Sequence, residues 1–279
     1  MNTVNQDDYY WGPATSTIDW CEENYAVSPY VAEFINTTTN ISFALLPLFC
    51  VYNTLRNGFN KALIIGHLGV FLVGIGSWFF HMTLQYEMQL LDELPMIYVA
   101  CIMVYFSIEI YSKPKYGSPL VIFLLAYSTI VTYSYLIIND PVFHQVAYAL
   151  LIFIIVFRSL YTINHLPHTS ASYNYEFPRL VFLLKLAAAG FIVSFGLWNV
   201  DNIFCPYLRE FRTMVPYGIG ALTQLHGWWH LGTSVGCYYF TVYIEWVHQI
   251  LDDTNKQQYE LKWFGHICYL RPAPKAHKF

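Results

Sequence analysis

Seven apolar runs, each long enough to cross a hydrocarbon layer as a helix, constrain this chain more than any other feature. They fall at about 34–54, 62–82, 91–111, 119–137, 142–162, 178–199 and 218–244. A helix needs roughly 20 largely apolar residues to span a bilayer core. Only 11% of the 279 residues are charged and 56% are hydrophobic, whereas a soluble domain carries roughly 25% charged residues. The expected fold class is an all-α integral membrane protein, a seven-transmembrane helix bundle. Short connections make successive helices antiparallel neighbours. Pro114, Pro119, Pro141, Pro167 and Pro216 lie at or between the run ends, where a residue without an N–H breaks a helix.

The expected organisation is an acidic arm over 1–33, a transmembrane domain over 34–247 and a tail over 248–279. The arm has no basic start and no apolar core, so it does not read as a cleavable signal, and the first span acts as its own signal. No internal repeat and no soluble domain are visible. A net charge of −4 with no basic cluster in the apolar body argues against nucleic acid as a partner. No obligate protein partner is evident either.

Lys and Arg set the orientation. With the N-terminus outside, the cytoplasmic segments hold Arg56, Lys61, Lys113, Lys115, Arg158, Arg179 and Lys185, and the tail adds Lys256, Lys262, Arg271, Lys275 and Lys278. The other side holds only Arg209 and Arg212. The positive-inside rule therefore puts the N-terminus in the lumen and the C-terminus in the cytoplasm. Cys21 and Cys205 both land on the luminal side. Theirs is the pairing that an oxidising compartment favours, with two free thiols as the alternative.

His226 and His230 stand four residues apart in the last run, so both rings share one helix face. An ionisable group at membrane depth is a functional candidate by default, and two imidazoles so spaced can bind one metal. Ser77 and His81 repeat that spacing near the luminal end of the second run. Asp92 lies near the luminal start of the third. Three imidazoles with a carboxylate and a hydroxyl at one depth describe a catalytic zinc site with an open position. Each residue also has a plainer reading. The histidines serve as interhelical hydrogen-bonding groups, Asp92 as a helix cap and Ser77 as a small packing residue. Asn199, Asp201 and Asn202, at the luminal end of the sixth run, either orient a ligating imidazole or cap their helix. His67 and His144 have no helix-spaced partner and read as structural. In the arm, Asp19, Glu22, Glu23, Asn24 and Glu33 gather oxygen ligands of the kind calcium prefers, although a solvated acidic arm produces the same pattern.

The segments WGPATSTIDWCEENY, GSWFFHMTLQYEMQLLDELPM, FHQV, WNVDNIFC and QLHGWWHL resemble the alkaline ceramidases, most nearly the alkaline ceramidase 3 or alkaline phytoceramidase type. The resemblance extends from about residue 9 to about 245. It implies a seven-helix hydrolase that cleaves the amide of ceramide, dihydroceramide or phytoceramide to a sphingoid base and a free fatty acid. It further implies zinc on His81, His226 and His230, with Ser77 and Asp92 as catalytic residues at the attacking water. Calcium is implied on Asp19, the Trp20 carbonyl, Glu22, Asn24 and Glu33, and a disulfide between Cys21 and Cys205. Membrane lipids surround such a protein, and the endoplasmic reticulum or Golgi is the compartment implied. A related seven-helix metal hydrolase of the adiponectin-receptor-like type is the rival reading. Its usual topology is opposite to the charge distribution here. A non-enzymatic receptor or transporter is a further rival, but its polar residues would spread over the full bilayer depth.

Overall fold

The structure is a computed structural model that describes residues 9–110, 114–166, 173–252 and 257–273. Pro167, Lys113, Lys256, Lys275 and Lys278 lie outside the described residues. Ten helices and one hairpin are present among the described residues: α1 (Phe34–Thr39), α2 (Ile41–Asn57), α3 (Leu63–Thr83), α4 (Tyr86–Ile108), α5 (Ser118–Ile138), α6 (Pro141–Asn164), α7 (Tyr173–Ile203), α8 (Cys205–Met214), α9 (Tyr217–Ala221), α10 (Leu225–Leu251), β1 (Tyr259–Phe264) and β2 (Ile267–Pro272).

Six helices are long and apolar enough to cross a membrane, with α1 and α2 joined into one span across Asn40. They match the first six apolar runs in order. The seventh run is divided. Its first residues form the short α9, and the remainder forms α10, which is 27 residues long and is not among the six apolar spans. Between the sixth and seventh runs the chain folds into α8, where the sequence promised only a connection. Pro47, Pro95 and Pro178 lie inside helices. Proline is tolerated there because a helix bundle offers other partners for the freed carbonyl.

The expectation of an all-α chain needs one correction. Within the stretch assigned to the tail, β1 and β2 pair antiparallel with Trp263 opposite Cys268 and Phe264 opposite Ile267. Tyr259, Leu261, Cys268 and Leu270 alternate with more exposed residues and are buried, the period-two pattern of a half-buried strand. Gly265 supplies the positive φ of 59° that the tight turn requires. The hairpin closes one end of the bundle. Tyr239 Oη donates to His266 O at 2.8 Å, and Asn57 Nδ2 donates to Leu270 O at 3.0 Å.

The arm closes the other end. Leu84, a buried residue with φ 52°, ends α3 in the left-handed region. Its carbonyl there accepts Thr15 N and Ser16 N, each at 3.1 Å. The arm is thus tied to the α3–α4 turn by backbone bonds that no side-chain pattern announces. α10 lies inside the bundle against α7, α2 and α3. Its approach to α7 depends on small residues. A Cβ at Gly236 would stand 2.9 Å from the Phe191 ring and 3.1 Å from Ala187 O. With no water to drive apolar surfaces together, helices in lipid associate through such close contacts.

Candidate metal centre

Two helices bring three imidazoles together at the arm end. His81, on the last turn of α3, and His226 and His230, on the first two turns of α10, are 1–4% exposed. Their ring centroids are 5.0 Å (His81–His226), 4.8 Å (His81–His230) and 4.6 Å (His226–His230) apart. One ligand atom from each lies within 4.8 Å of the others. The i, i+4 spacing on α10 aligns the pair, and packing of α10 against α3 adds the third member.

The ring nitrogens fit a metal. His81 Nδ1 is 2.5 Å from Glu33 Oε2, and His230 Nδ1 is 3.0 Å from Thr39 Oγ1. Each of these partners fixes one ring edge and leaves Nε2 for a ligand. His226 Nδ1 is buried with no hydrogen-bond partner, a condition that is costly unless an ion or water meets it. Trp20 stacks on the His226 ring with centroids 4.0 Å apart and screens it from solvent. A neutral three-imidazole set suits zinc among the common biological cations.

Ser77 lies one turn before His81 on the same face of α3, 4% exposed, and stands beside the Asp92 carboxylate of α4. Gly76 makes this contact possible. A Cβ there would fall 2.1 Å from Leu91 O and 3.0 Å from Asp92 N, so only glycine lets the two backbones approach this closely. Asp92 is not a helix cap: α4 begins at Tyr86 with Gln85 as its N-cap, so Asp92 lies inside the helix, on the side that faces α3.

The arm residues gather beside the same centre. Glu33 Oε1 accepts Trp20 N at 3.3 Å, Asn24 Nδ2 donates to Asp19 Oδ1 at 3.2 Å, and Asn24 Oδ1 is buried without a partner. Glu22 spends its carboxylate on the start of α1, accepting Ile35 N at 2.6 Å and Asn36 N at 2.8 Å. The Trp20 carbonyl accepts Arg209 Nη2 at 3.0 Å. Each of these oxygens keeps a second lone pair. Burial pushes the Glu22 carboxyl up to about 7 and the Glu33 carboxyl up to about 8. Buried acids and an orphaned amide oxygen are the donor chemistry of a hard divalent cation, and Arg209 and Arg212 stand beside them on the arm carbonyls.

Several groups were not legible in advance. Glu33 reads from sequence as a calcium ligand, and the structure also makes it the partner of His81. Thr39 carried no signal at all. Arg209 and Arg212, which served only to weigh orientation, clamp the arm: Arg209 Nε and Arg212 Nη1 donate to Cys21 O at 3.1 and 2.8 Å. Cys21 is disulfide-bonded to Cys205 at the start of α8. Asp201 is buried and accepts Leu225 N at 3.1 Å, at the start of α10. It anchors the helix that carries His226. Asn199 and Asn202 donate to Phe195 O and Trp198 O of their own helix. His144 Nε2 meets the Glu93 carbonyl at 2.8 Å, and His67 pairs with Glu245.

Comparison with known proteins places this arrangement. A protein-family model described as Ceramidase matches residues 12–274. A mouse protein named alkaline ceramidase 3 is 46% identical over 230 residues, covering 82% of each chain. Alkaline ceramidase YPC1 of Saccharomyces cerevisiae is 33% identical over 274 residues, covering 91% of this chain and 83% of its own. An Arabidopsis thaliana alkaline ceramidase is 31% identical over 230 residues, covering 82% of each.

Proposed function

The chain belongs to the ceramidase family, and from that premise we propose that it is a zinc-dependent intramembrane amidase. It hydrolyses the amide of ceramides to a sphingoid base and a free fatty acid. The observation that carries this reading is the convergence of His81, His226 and His230 in one buried cluster. The Ser77–Asp92 pair stands one helical turn away along α3.

His81, His226 and His230 would hold the zinc, Glu33 and Thr39 fixing the rings of His81 and His230. Zinc, when bound, polarises an amide carbonyl and lowers the pKa of its water to about 7. Asp92 accepts the proton that the attacking water loses and passes it to the leaving nitrogen as the C–N bond breaks. Ser77 donates a hydrogen bond to the oxygen that gains charge when water adds to the carbonyl carbon, a role typically worth about 2.7–4 kcal/mol. Trp20 covers His226 and limits access of bulk water.

Asp19, the Trp20 carbonyl, Glu22, Asn24 and Glu33 would hold calcium and brace the arm against the bundle. The buried acids and the orphaned Asn24 oxygen support this assignment.

α10 completes seven spans, with the arm luminal, the tail cytoplasmic, and the protein in the endoplasmic reticulum or Golgi. Its polar residues face the bundle interior, as intramembrane polar groups do. The Cys21–Cys205 bond suits an oxidising lumen. Arg56, Lys61, Lys115, Arg158 and Arg179 belong to the opposite end.

Purified protein in detergent, assayed for bound zinc and for ceramide hydrolysis, tests the reading. His81→Ala and His230→Ala are expected to lose both. Ligation requires neutral imidazoles, so hydrolysis should fall away at acidic pH. Hydrolysis retained by either variant, or an optimum near pH 5, would count against the proposal.

A further inference from the structure

α10 carries its polar groups on one line. Beyond His226 and His230 the face continues through Ser234, Thr241 and Glu245, all buried, at spacings of four and seven that a helix stacks on one side. α1 and α2 answer it with Thr39, Ser42, Cys50 and Thr54.

The upper part of this seam is bonded throughout. His230 Nδ1 meets Thr39 Oγ1 at 3.0 Å, Ser42 Oγ donates to Thr39 O at 2.9 Å, and Ser234 Oγ donates to Ser42 Oγ at 2.7 Å. The lower part is bonded too. Cys50 Sγ and Thr241 Oγ1 are 3.7 Å apart, Thr54 Oγ1 donates to Glu245 Oε1, and His67 Nε2 lies 3.1 Å from the same oxygen.

Between the two parts is a cavity of about 10 Å³, lined among others by Pro47, Cys50, His67, Val70, Ser234 and Thr241. That is about the space of a single water. His67 Nδ1, on a ring that is 2% exposed, has no hydrogen-bond partner. Pro47, having no N–H, also deprives the Phe43 carbonyl of its helical donor.

We propose that this cavity binds one ordered water, held by His67 Nδ1 and by the hydroxyls of Ser234 and Thr241. The water joins the two parts into a continuous hydrogen-bonded seam from the imidazole cluster to Glu245. Water fits either state of His67, donating to a bare Nδ1 or accepting from a protonated one. The unmet His67 nitrogen, with the Ser234 and Thr241 hydroxyls in an otherwise largely apolar wall, separates this space from a dry packing defect. The inference stands apart from the hydrolytic reading and does not require it.

The test is a high-resolution structure of the full chain in lipid, together with the Val70→Ile variant, whose added methylene fills the space. The expected result is density within roughly 2.7–3.2 Å of His67 Nδ1 and of a Ser234 or Thr241 oxygen. In Val70→Ile that density is lost and the Tm falls by about 2–4 °C. A space without density in the parent chain overturns the proposal. So does a Tm raised by Val70→Ile, the response of a dry cavity to filling. If the variant does not fold, the density decides alone.

Discussion

Glu33 Oε2 lies 2.5 Å from His81 Nδ1, although the two residues are 48 positions apart. Glu33 is fully buried and also accepts the Trp20 amide and the Asn36 side chain. One carboxylate therefore ties the arm, the start of α1 and the imidazole of α3 together. A change in the arm is felt at the imidazole cluster through a single hydrogen bond.

Glu33→Gln keeps the shape and replaces the carboxyl group that faces His81 by an amide. Loss of such a partner to a ligating histidine typically costs about 10–100-fold in metal affinity or activity. Metal titration of the purified variant, read beside its hydrolysis rate, should show both falling. Unchanged zinc affinity would mean that Glu33 acts only on the arm.

Gly76→Ala places a methyl group against the Leu91 carbonyl and should force α3 from α4. Overpacking of this kind costs about 1–3 kcal/mol, and displacing Asp92 from Ser77 should lower the hydrolysis rate as well. Gly196, on α7, has nothing within 4 Å of its Cβ position. Gly196→Ala is the matched control. It should be neutral, or stabilising by about 0.5–1 kcal/mol. Thermal melts of the two variants make the comparison.

Cys21 and Cys205 are 184 positions apart in the chain. Breaking the bond should cost about 2–4 kcal/mol. Reductant should lower the Tm of the parent chain and leave Cys21→Ser unmoved. Arg209 and Arg212 still hold the arm carbonyls in that variant, so the arm should loosen without detaching.

Glu109 closes the α4–α5 turn. It accepts Lys115 N, Tyr116 N and Gly117 N at 2.5, 2.7 and 2.8 Å. Burial raises its carboxyl, but the three N–H donors outweigh burial and hold it below the ordinary value of 4.5. A pKa depressed in the folded state adds stability above the unfolded value and loses it as pH falls through the folded one. Glu109→Gln should therefore cost about 1–2 kcal/mol near neutral pH. The gap to the parent chain should close as pH drops below 4.5. Melts across that range check the sign.

Local rules reached some features directly. The six apolar spans were visible because hydrocarbon demands a continuous apolar length, which is a property of each segment alone. The alignment of His226 with His230, and of Ser77 with His81, follows from helix periodicity. The β-hairpin was missed because six-residue alternating strands are a weak signal beside 20-residue spans, although YELKW and ICYLR carry it. The break before α10 was missed for a related reason: its polar residues are tolerated only because neighbouring helices bury them.

Spacing and apolar length thus determined the helical class, the six apolar spans and the residue types of the histidine cluster. Tertiary structure alone decided which residues meet. Thr39 reaches His230 across 191 positions, and Asp92 reaches Ser77 because Gly76 lets two backbones touch. Arg209 and Arg212, which read as two stray charges, hold the arm by its carbonyls. Periodicity describes one helix at a time, and contact between distant segments depends on how the helices pack, which no single segment encodes.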